Sequence, residues 1–151
     1  MIVRRATDKD MPDLLRMGRA FHGNSSMSRI AEFDDASFQM TLDALLSGDM
    51  AGLIIVAEDE QIVGMAACLL FPLYFNMWCP AAQELFWWVD PGNRNGTGMA
   101  LIDALETTAR EAGAKAFLSG SVAGLRDEAI ARVYARRGYV LTENTYIKAL
   151  T

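Results

Sequence analysis

The chain has 151 residues, 52% of them hydrophobic and 22% charged, which predicts one globular domain over residues 1–151 with a core that needs no metal or disulfide staples. Fourteen Lys and Arg against 19 Asp and Glu leave a net charge of −5, and no basic cluster exceeds the pair Arg136 and Arg137, so duplex nucleic acid is excluded as the expected partner. One histidine and two cysteines, Cys68 and Cys79, rule out a site built on two imidazoles, and the Cys-x-x-Cys and His-Glu-x-x-His spacings are absent; no metal is expected.

The first predicted element is a strand, Ile2 to Arg5, followed after Thr7-Asp8 by a helix with Met11, Leu14, Leu15, Met17 and Phe21 at helical spacing. Pro12 falls in its first turn, where the missing N–H costs nothing. His22 reads as a surface or cap residue after this helix, and no Gly-x-Ser-x-Gly elbow offers it a nucleophile. A second helix is predicted from Asp35 to Leu46, closed by Gly48. Leu53 to Ala57 and Ile62 to Leu70 then read as an antiparallel pair joined by a tight turn at Glu58 to Gln61.

Phe71 to Ala82 reads as a loop of unusual composition, aromatic where most loops are polar, and such loops often line a ligand site. Pro72, Asn76 and Pro80 leave Met65 to Pro80 too short and too broken to span a bilayer. No membrane partner is expected. The N-terminus meets charge at Arg4 and lacks an apolar signal core, so the expected location is cytoplasmic. Phe71, Tyr74, Phe75, Met77 and Trp78 fit an amine pocket, a homodimer interface or the core, with core or interface preferred.

Glu84 to Val89 is apolar on both faces apart from Glu84, the pattern of a doubly covered strand. The loop Asn93 to Gly98 leads into a helix with Leu101, Ile102, Leu105, Ala109 and Ala112 inward, stopped by Gly113. A strand from Ala116 to Val122 follows, so the crossover makes the two strands parallel. A helix from about Leu125 to Arg137 and two short strands, Tyr139 to Leu141 and Tyr146 to Leu150, complete the order βααβββαβαββ.

Between strand and helix, Gly96 and Gly98 let backbone N–H groups converge on one point, and the helix N-terminus adds its positive dipole end. Arg94 adds a guanidinium suited to phosphate. A Walker loop is excluded, since no lysine lies between Lys9 and Lys115, and a dinucleotide fingerprint fails because Leu101 stands where its last glycine would.

The segment Trp88-Val89-Asp90-Pro91-Gly92-Asn93-Arg94-Asn95-Gly96-Thr97-Gly98-Met99-Ala100-Leu101-Ile102 resembles motif A of the GCN5-related N-acetyltransferase (GNAT) family, of the form Gln/Arg-x-x-Gly-x-Gly/Ala. The ending Val133-Tyr134-Ala135-Arg136-Arg137-Gly138-Tyr139 is similar to the family's Leu-Tyr-x-x-x-Gly-Phe. Asn93 occupies the motif's first position, with Arg94 one residue later, and Asp127 stands where family members carry an asparagine whose role is not transferred.

The resemblance implies a mixed α/β fold with a mostly antiparallel central sheet, a parallel splayed strand pair and flanking helices. It implies acetyl-coenzyme A as co-substrate, held by Val89, Arg94, Asn95, Gly96, Thr97, Gly98 and Met99, with its pantetheine arm between strands 84–89 and 116–122. It also places the oxyanion donor at the backbone N–H of Val89 or a near neighbour, and the acceptor is a small-molecule or peptide amine.

Transfer to an amine needs a neutral nitrogen, and a lysine-like amine of pKa about 10.4 is only on the order of 0.1% neutral near pH 7.4. Glu84 is the candidate base, since apolar surroundings raise a carboxylate's pKa toward the working range and many family members place a glutamate nearby that works through water. A solvent-facing strand end or a structural ion pair accounts for Glu84 equally well. Tyr134 is the candidate general acid, because a phenol stays protonated at neutral pH; its alternative is a core aromatic with a wet hydroxyl. The competing reading of the whole is a catalytically silent coenzyme A binding or interaction module.

Overall fold

The computed structural model describes residues 1–122 and 127–150. Its sheet has five strands in the order of the chain: β1 (Ile2–Arg5), β2 (Gly52–Asp59), β3 (Gln61–Leu73), β4 (Asn76–Val89) and β5 (Phe117–Leu118). Neighbours are antiparallel except β4 and β5, which run parallel. Helices α1 (Met11–Gly23) and α2 (Asp35–Ser47) cover one face, α3 (Thr97–Glu111) covers the other, and α4 (Asp127–Arg136) follows β5.

Strand alternation explains the two-sided core. In β2, Ile54 and Val56 pack with Leu14, Met17, Leu42 and Leu45 of the first helices, whereas Leu53, Ile55 and Ala57 pack with Leu101, Leu105 and Ala109 of α3. A strand covered on both faces must be apolar at every position, which is why β2 reads as a continuous hydrophobic run. The expected tight turn after β2 forms with Glu60 at φ 63°.

Phe71 to Ala82 is not a loop. β3 and β4 continue as a two-stranded arm that turns at Tyr74 and Phe75, with Pro72 paired opposite Pro80. The Pro80 carbonyl accepts from Lys115 N–H at 2.8 Å, on the side away from β3, so its ring nitrogen also faces away from the ladder. Proline is tolerated where no ladder donor is required. Tyr74, Phe75, Met77 and Trp78 are exposed at the tip, Trp78 to 92%, which removes them from the core.

Two other expectations are corrected. The strand predicted over Ala116 to Val122 is confined to Phe117–Leu118, paired with Ala82 and Gln83, after which the chain leaves β4. The closing strands Tyr139 to Leu141 and Tyr146 to Leu150 do not form: among the described residues 137–150 no strand occurs, and Val140, Leu141 and Tyr146 are exposed. Strand propensity is expressed only against a partner edge, and the short β5 offers little. Helix α4 has its expected C-terminal end, while Leu125 lies outside the described residues.

The candidate active site in the cleft between β4 and β5

The register of β3 and β4 steps from Cys68–Glu84 to Ala67–Phe86, leaving Leu85 without a partner. Such a bulge inverts the alternation beyond it. Ala82, before the bulge, and Val89, after it, therefore both pack on the α3 side, while Phe86 and Trp88 point to α1 and α2. Glu84 has the parity of Ala82, so its carboxylate and the Trp87 and Val89 side chains share the α3 side.

Past Gln83, no strand of the described residues pairs with the outer edge of β4. Asp90 N–H donates to the Val63 carbonyl at 2.9 Å, which sets the phase of the ladder: Val89, opposite Gly64, directs its own N–H and C=O away from β3 into the cleft. The Arg94 Nε–H takes that carbonyl at 3.1 Å, and the guanidinium lies 5.3 Å from the Trp88 ring centroid. Arg94 is thus folded back over the end of β4, with its Nη groups making no hydrogen bond to a described residue.

The loop from Asp90 to Gly96 is braced at its start. Asp90 accepts from Trp88 Nε1 at 3.0 Å and from Arg16 of α1 at 2.8 Å, and its carbonyl accepts from Asn93 N–H at 3.1 Å. At its end, Gly96 is the N-cap of α3 with φ 83°, a left-handed conformation that favours glycine, and it supplies no side-chain cap. Gly96 N–H is satisfied by the Arg94 carbonyl at 2.8 Å, and the first helical bond runs from Ala100 N–H to the Gly96 carbonyl at 3.0 Å. The N–H groups of Thr97, Gly98 and Met99 are the first-turn donors that a helix leaves unpaired. Thr97 is buried, its hydroxyl on the Met1 Sδ at 3.2 Å, whereas Asn95 is exposed.

These parts surround one cavity of about 310 Å³, lined by Glu84, Trp87 and Val89 of β4, Arg94, Gly96, Gly98 and Met99 of the loop and α3, and Gly120 to Val122 beyond β5. Ala129, Ile130 and Val133 of α4 close it. Two features mark it as built for a polar ligand. One is the uncapped start of α3. The other is Trp87 Nε1, buried with no partner among the described residues, beneath Gly98, whose Cβ would stand 2.9 Å from the Trp87 ring. A buried donor left unsatisfied is costly unless a ligand completes it.

At the inner end stands a polar cluster. The Ser119 hydroxyl is hydrogen-bonded to Glu84 Oε2 and lies 2.6 Å from the Tyr134 hydroxyl, which donates to the Gly120 carbonyl at 2.8 Å. Burial raises the Glu84 carboxyl above the usual carboxylate range, offset in part by Ser119, the Gly120 backbone and Tyr134. Burial, and then the neighbouring Glu84 charge, likewise push Tyr134 above its ordinary value. Glu84 is therefore no solvent-facing strand end and has no basic partner among the described residues.

The sequence model of the Acetyltransferase (GNAT) family matches residues 18–139. The chain belongs to the GNAT acetyltransferase family. Solved structures similar to this GNAT chain include a predicted acetyltransferase with acetyl-CoA from Clostridium acetobutylicum, at 19% identity and TM-score 0.75 over 99% of this chain and 96% of that one. The aminoglycoside acetyltransferase meta-AAC0020 from an uncultured soil metagenomic sample, in complex with sisomicin, is similar at 20% identity and TM-score 0.73 over 99% and 96% of the two chains. The aminoglycoside antibiotic 6'-N-acetyltransferase AAC(6')-IG from Acinetobacter haemolyticus is similar at 18% identity and TM-score 0.70 over 100% and 99%. Among curated proteins no sequence matches. At these identities the likeness establishes the fold.

Of the residues singled out in the sequence, the cleft gathers Glu84, Val89, Arg94, Gly96, Gly98 and Met99, and Tyr134 joins through Ser119. His22 stays apart, its Nε2 3.0 Å from the Ala31 carbonyl and its ring 5.6 Å from Phe33. Cys68 is buried with its thiol pushed up to about 11, and both cysteines are free. Ser119 and Trp87 Nε1 escaped sequence reasoning: nothing separates Ser119 from Ser121 by composition, and an indole gives no sign of being unpartnered. No group of three or more His, Cys, Asp or Glu placed to hold a metal occurs among the described residues, and no described helix is long and apolar enough to cross a membrane.

Proposed function

We propose that this single domain is an acetyl-coenzyme A dependent N-acetyltransferase acting on a primary amine by direct attack. The observation that carries the reading is the cleft itself, where the uncapped start of α3, the outward backbone of Val89 and the half-buried Glu84 carboxyl face one another across about 310 Å³. Acetyl-coenzyme A supplies an activated thioester.

The first-turn N–H groups of Thr97, Gly98 and Met99 bind the diphosphate, with Asn95 and Gly96 shaping the turn and Arg94 offering its Nη donors. Thr97 serves through its backbone alone, since its side chain is buried on Met1. Strand β4 pairs with the pantetheine arm through the backbone groups that β5 leaves unmatched. Val89 N–H stabilises the developing oxyanion. Glu84 accepts the amine proton through an intervening water, and desolvation, by raising its carboxyl above the usual carboxylate range, makes it a stronger base for that task. Tyr134 gives its proton to the departing thiolate.

The acceptor is a small-molecule or peptide amine. The two aminoglycoside acetyltransferases with this fold favour the small-molecule side. The test is thiol release from acetyl-coenzyme A by the purified protein against a panel of aminoglycosides, polyamines and free N-terminal peptides. Acceptor-dependent release, lowered about 100-fold in Tyr134→Phe with coenzyme affinity retained, is the expected result. Coenzyme binding without release to any amine identifies the silent binding module instead.

A further inference from the structure

The contacts of Glu84, Ser119 and Tyr134 can be counted in protons. Three hydrogen bonds join them in series: Glu84 to Ser119, Ser119 to Tyr134, and Tyr134 to the Gly120 carbonyl. A carbonyl only accepts, so the last bond consumes the one phenolic proton. Ser119 then donates its one proton to the Tyr134 oxygen, and the first bond is complete only if Glu84 is a carboxylic acid that donates to Ser119. With Glu84 ionised, two protons must serve three contacts and one pair of oxygens faces without a hydrogen between.

We propose that Ser119 links Glu84 to Tyr134 as a proton relay, with Glu84 protonated in the resting protein as the reservoir that refills the tyrosine. This rests on the acetyltransferase reading and adds a positioning residue to it. As the C–S bond of the thioester breaks, Tyr134 gives its proton to the sulfur; Ser119 gives its own to the phenolate, and Glu84 gives its carboxyl proton to Ser119. The C–N bond has by then formed in the attack, and the Glu84 carboxylate takes the proton shed by that nitrogen. Nitrogen has lost one proton, sulfur has gained one, and the three side chains stand as they began. The base and the acid are thereby two ends of one chain, and Glu84 is ionised only when a proton is due from the amine.

Two other ionisable neighbours among the described residues do not short-circuit the chain. Cys68 of β3 is buried and held as a thiol, and Glu106 of α3 is engaged by the Tyr139 hydroxyl at 2.5 Å and by Arg137 at 3.6 Å.

The test has two arms. Infrared difference spectra of the protein without coenzyme, wild type minus Glu84→Gln at pH 7, are expected to show the carbonyl stretch of a protonated carboxyl; a carboxylate band alone overturns the relay whether or not an acceptor is known. With an amine from the release screen, Ser119→Ala is expected to lower kcat about 10-fold or more and shift its pH profile, with the KM for acetyl-coenzyme A unchanged. Ser119→Thr, which keeps the hydroxyl, is expected to recover most of that loss. Parent kcat and pH profile in Ser119→Ala, or a Ser119→Thr protein as slow as Ser119→Ala, overturns the proposal. A protonated Glu84 in a protein that acetylates no amine refutes the enzyme reading and leaves the hydrogen-bonded chain standing.

Discussion

Glu84 shows how a single side chain acquires chemistry from its surroundings. Its carboxyl is half-buried beside Ser119 and Tyr134 with no cation paired to it among the described residues, so desolvation makes the folded state favour the neutral form. The linkage follows: with the folded pKa raised above the unfolded one, the contribution to stability is fully present below the unfolded carboxylate range. It is lost as pH rises through the folded pKa. Glu84→Gln keeps the shape without the charge, so denaturant melts are expected to show the variant gaining stability relative to wild type between pH 5 and pH 8. Its kcat is expected to fall about 100-fold and to lose its pH dependence. Trp87 makes a second residue-level case. Its indole N–H is buried without a partner among the described residues. Trp87→Phe removes that donor, so folding stability by denaturant titration is expected to hold or rise while calorimetry shows coenzyme affinity reduced several-fold.

At the scale of elements, the β4 bulge and the short β5 together make the cleft. The bulge at Leu85 brings Glu84 to the α3 side shared by Trp87 and Val89, and the departure of the chain after Leu118 strips β4 of its neighbour where a ligand backbone can replace it. The start of α3 is held close by Gly98, whose missing side chain lets the first turn lie on the Trp87 ring. Gly98→Ala places a methyl 2.9 Å from that ring, and rings do not yield cheaply. The expected outcome is a loss of about 1–3 kcal/mol in stability by thermal denaturation, with coenzyme affinity reduced at least 10-fold as the first-turn N–H groups tilt. The exposed tip of the β3–β4 arm illustrates the opposite case: its aromatic residues are exposed, and the segment is sheet through the pairing of Leu70 to Leu73 with Asn76 to Ala82, Pro72 opposite Pro80 included.

For the whole molecule, the cleft lies between β4 with α3 on one side and the β5–α4 segment on the other, so a ligand seated there bridges both. Anything that binds the folded state alone stabilises it by mass action, about 2.7 kcal/mol at 100 times its Kd. For a chain of this size that corresponds to a rise in Tm of roughly 5–10 °C, measurable by scanning calorimetry with acetyl-coenzyme A. The same experiment on Gly98→Ala is expected to show a smaller rise.

Much of this arrangement was legible in the residues. The continuous apolar run of Leu53 to Ala57, the helical spacing from Leu101 to Ala109 and the glycines at 96 and 98 are local patterns, and local patterns report periodicity and backbone permission directly. They determined the two-sided sheet, the helices on its faces and the anion-ready start of α3. What they could not contain is the distance between chain-distant groups. That Ser119 stands between Glu84 and Tyr134, that Arg94 folds back on Val89, and that Tyr139 to Leu150 finds no strand partner were decided only in three dimensions. Side-chain hydrogen bonds across 15 or 35 residues depend on where β4, β5 and α4 come to rest, and that is set by packing rather than by any residue's own preference.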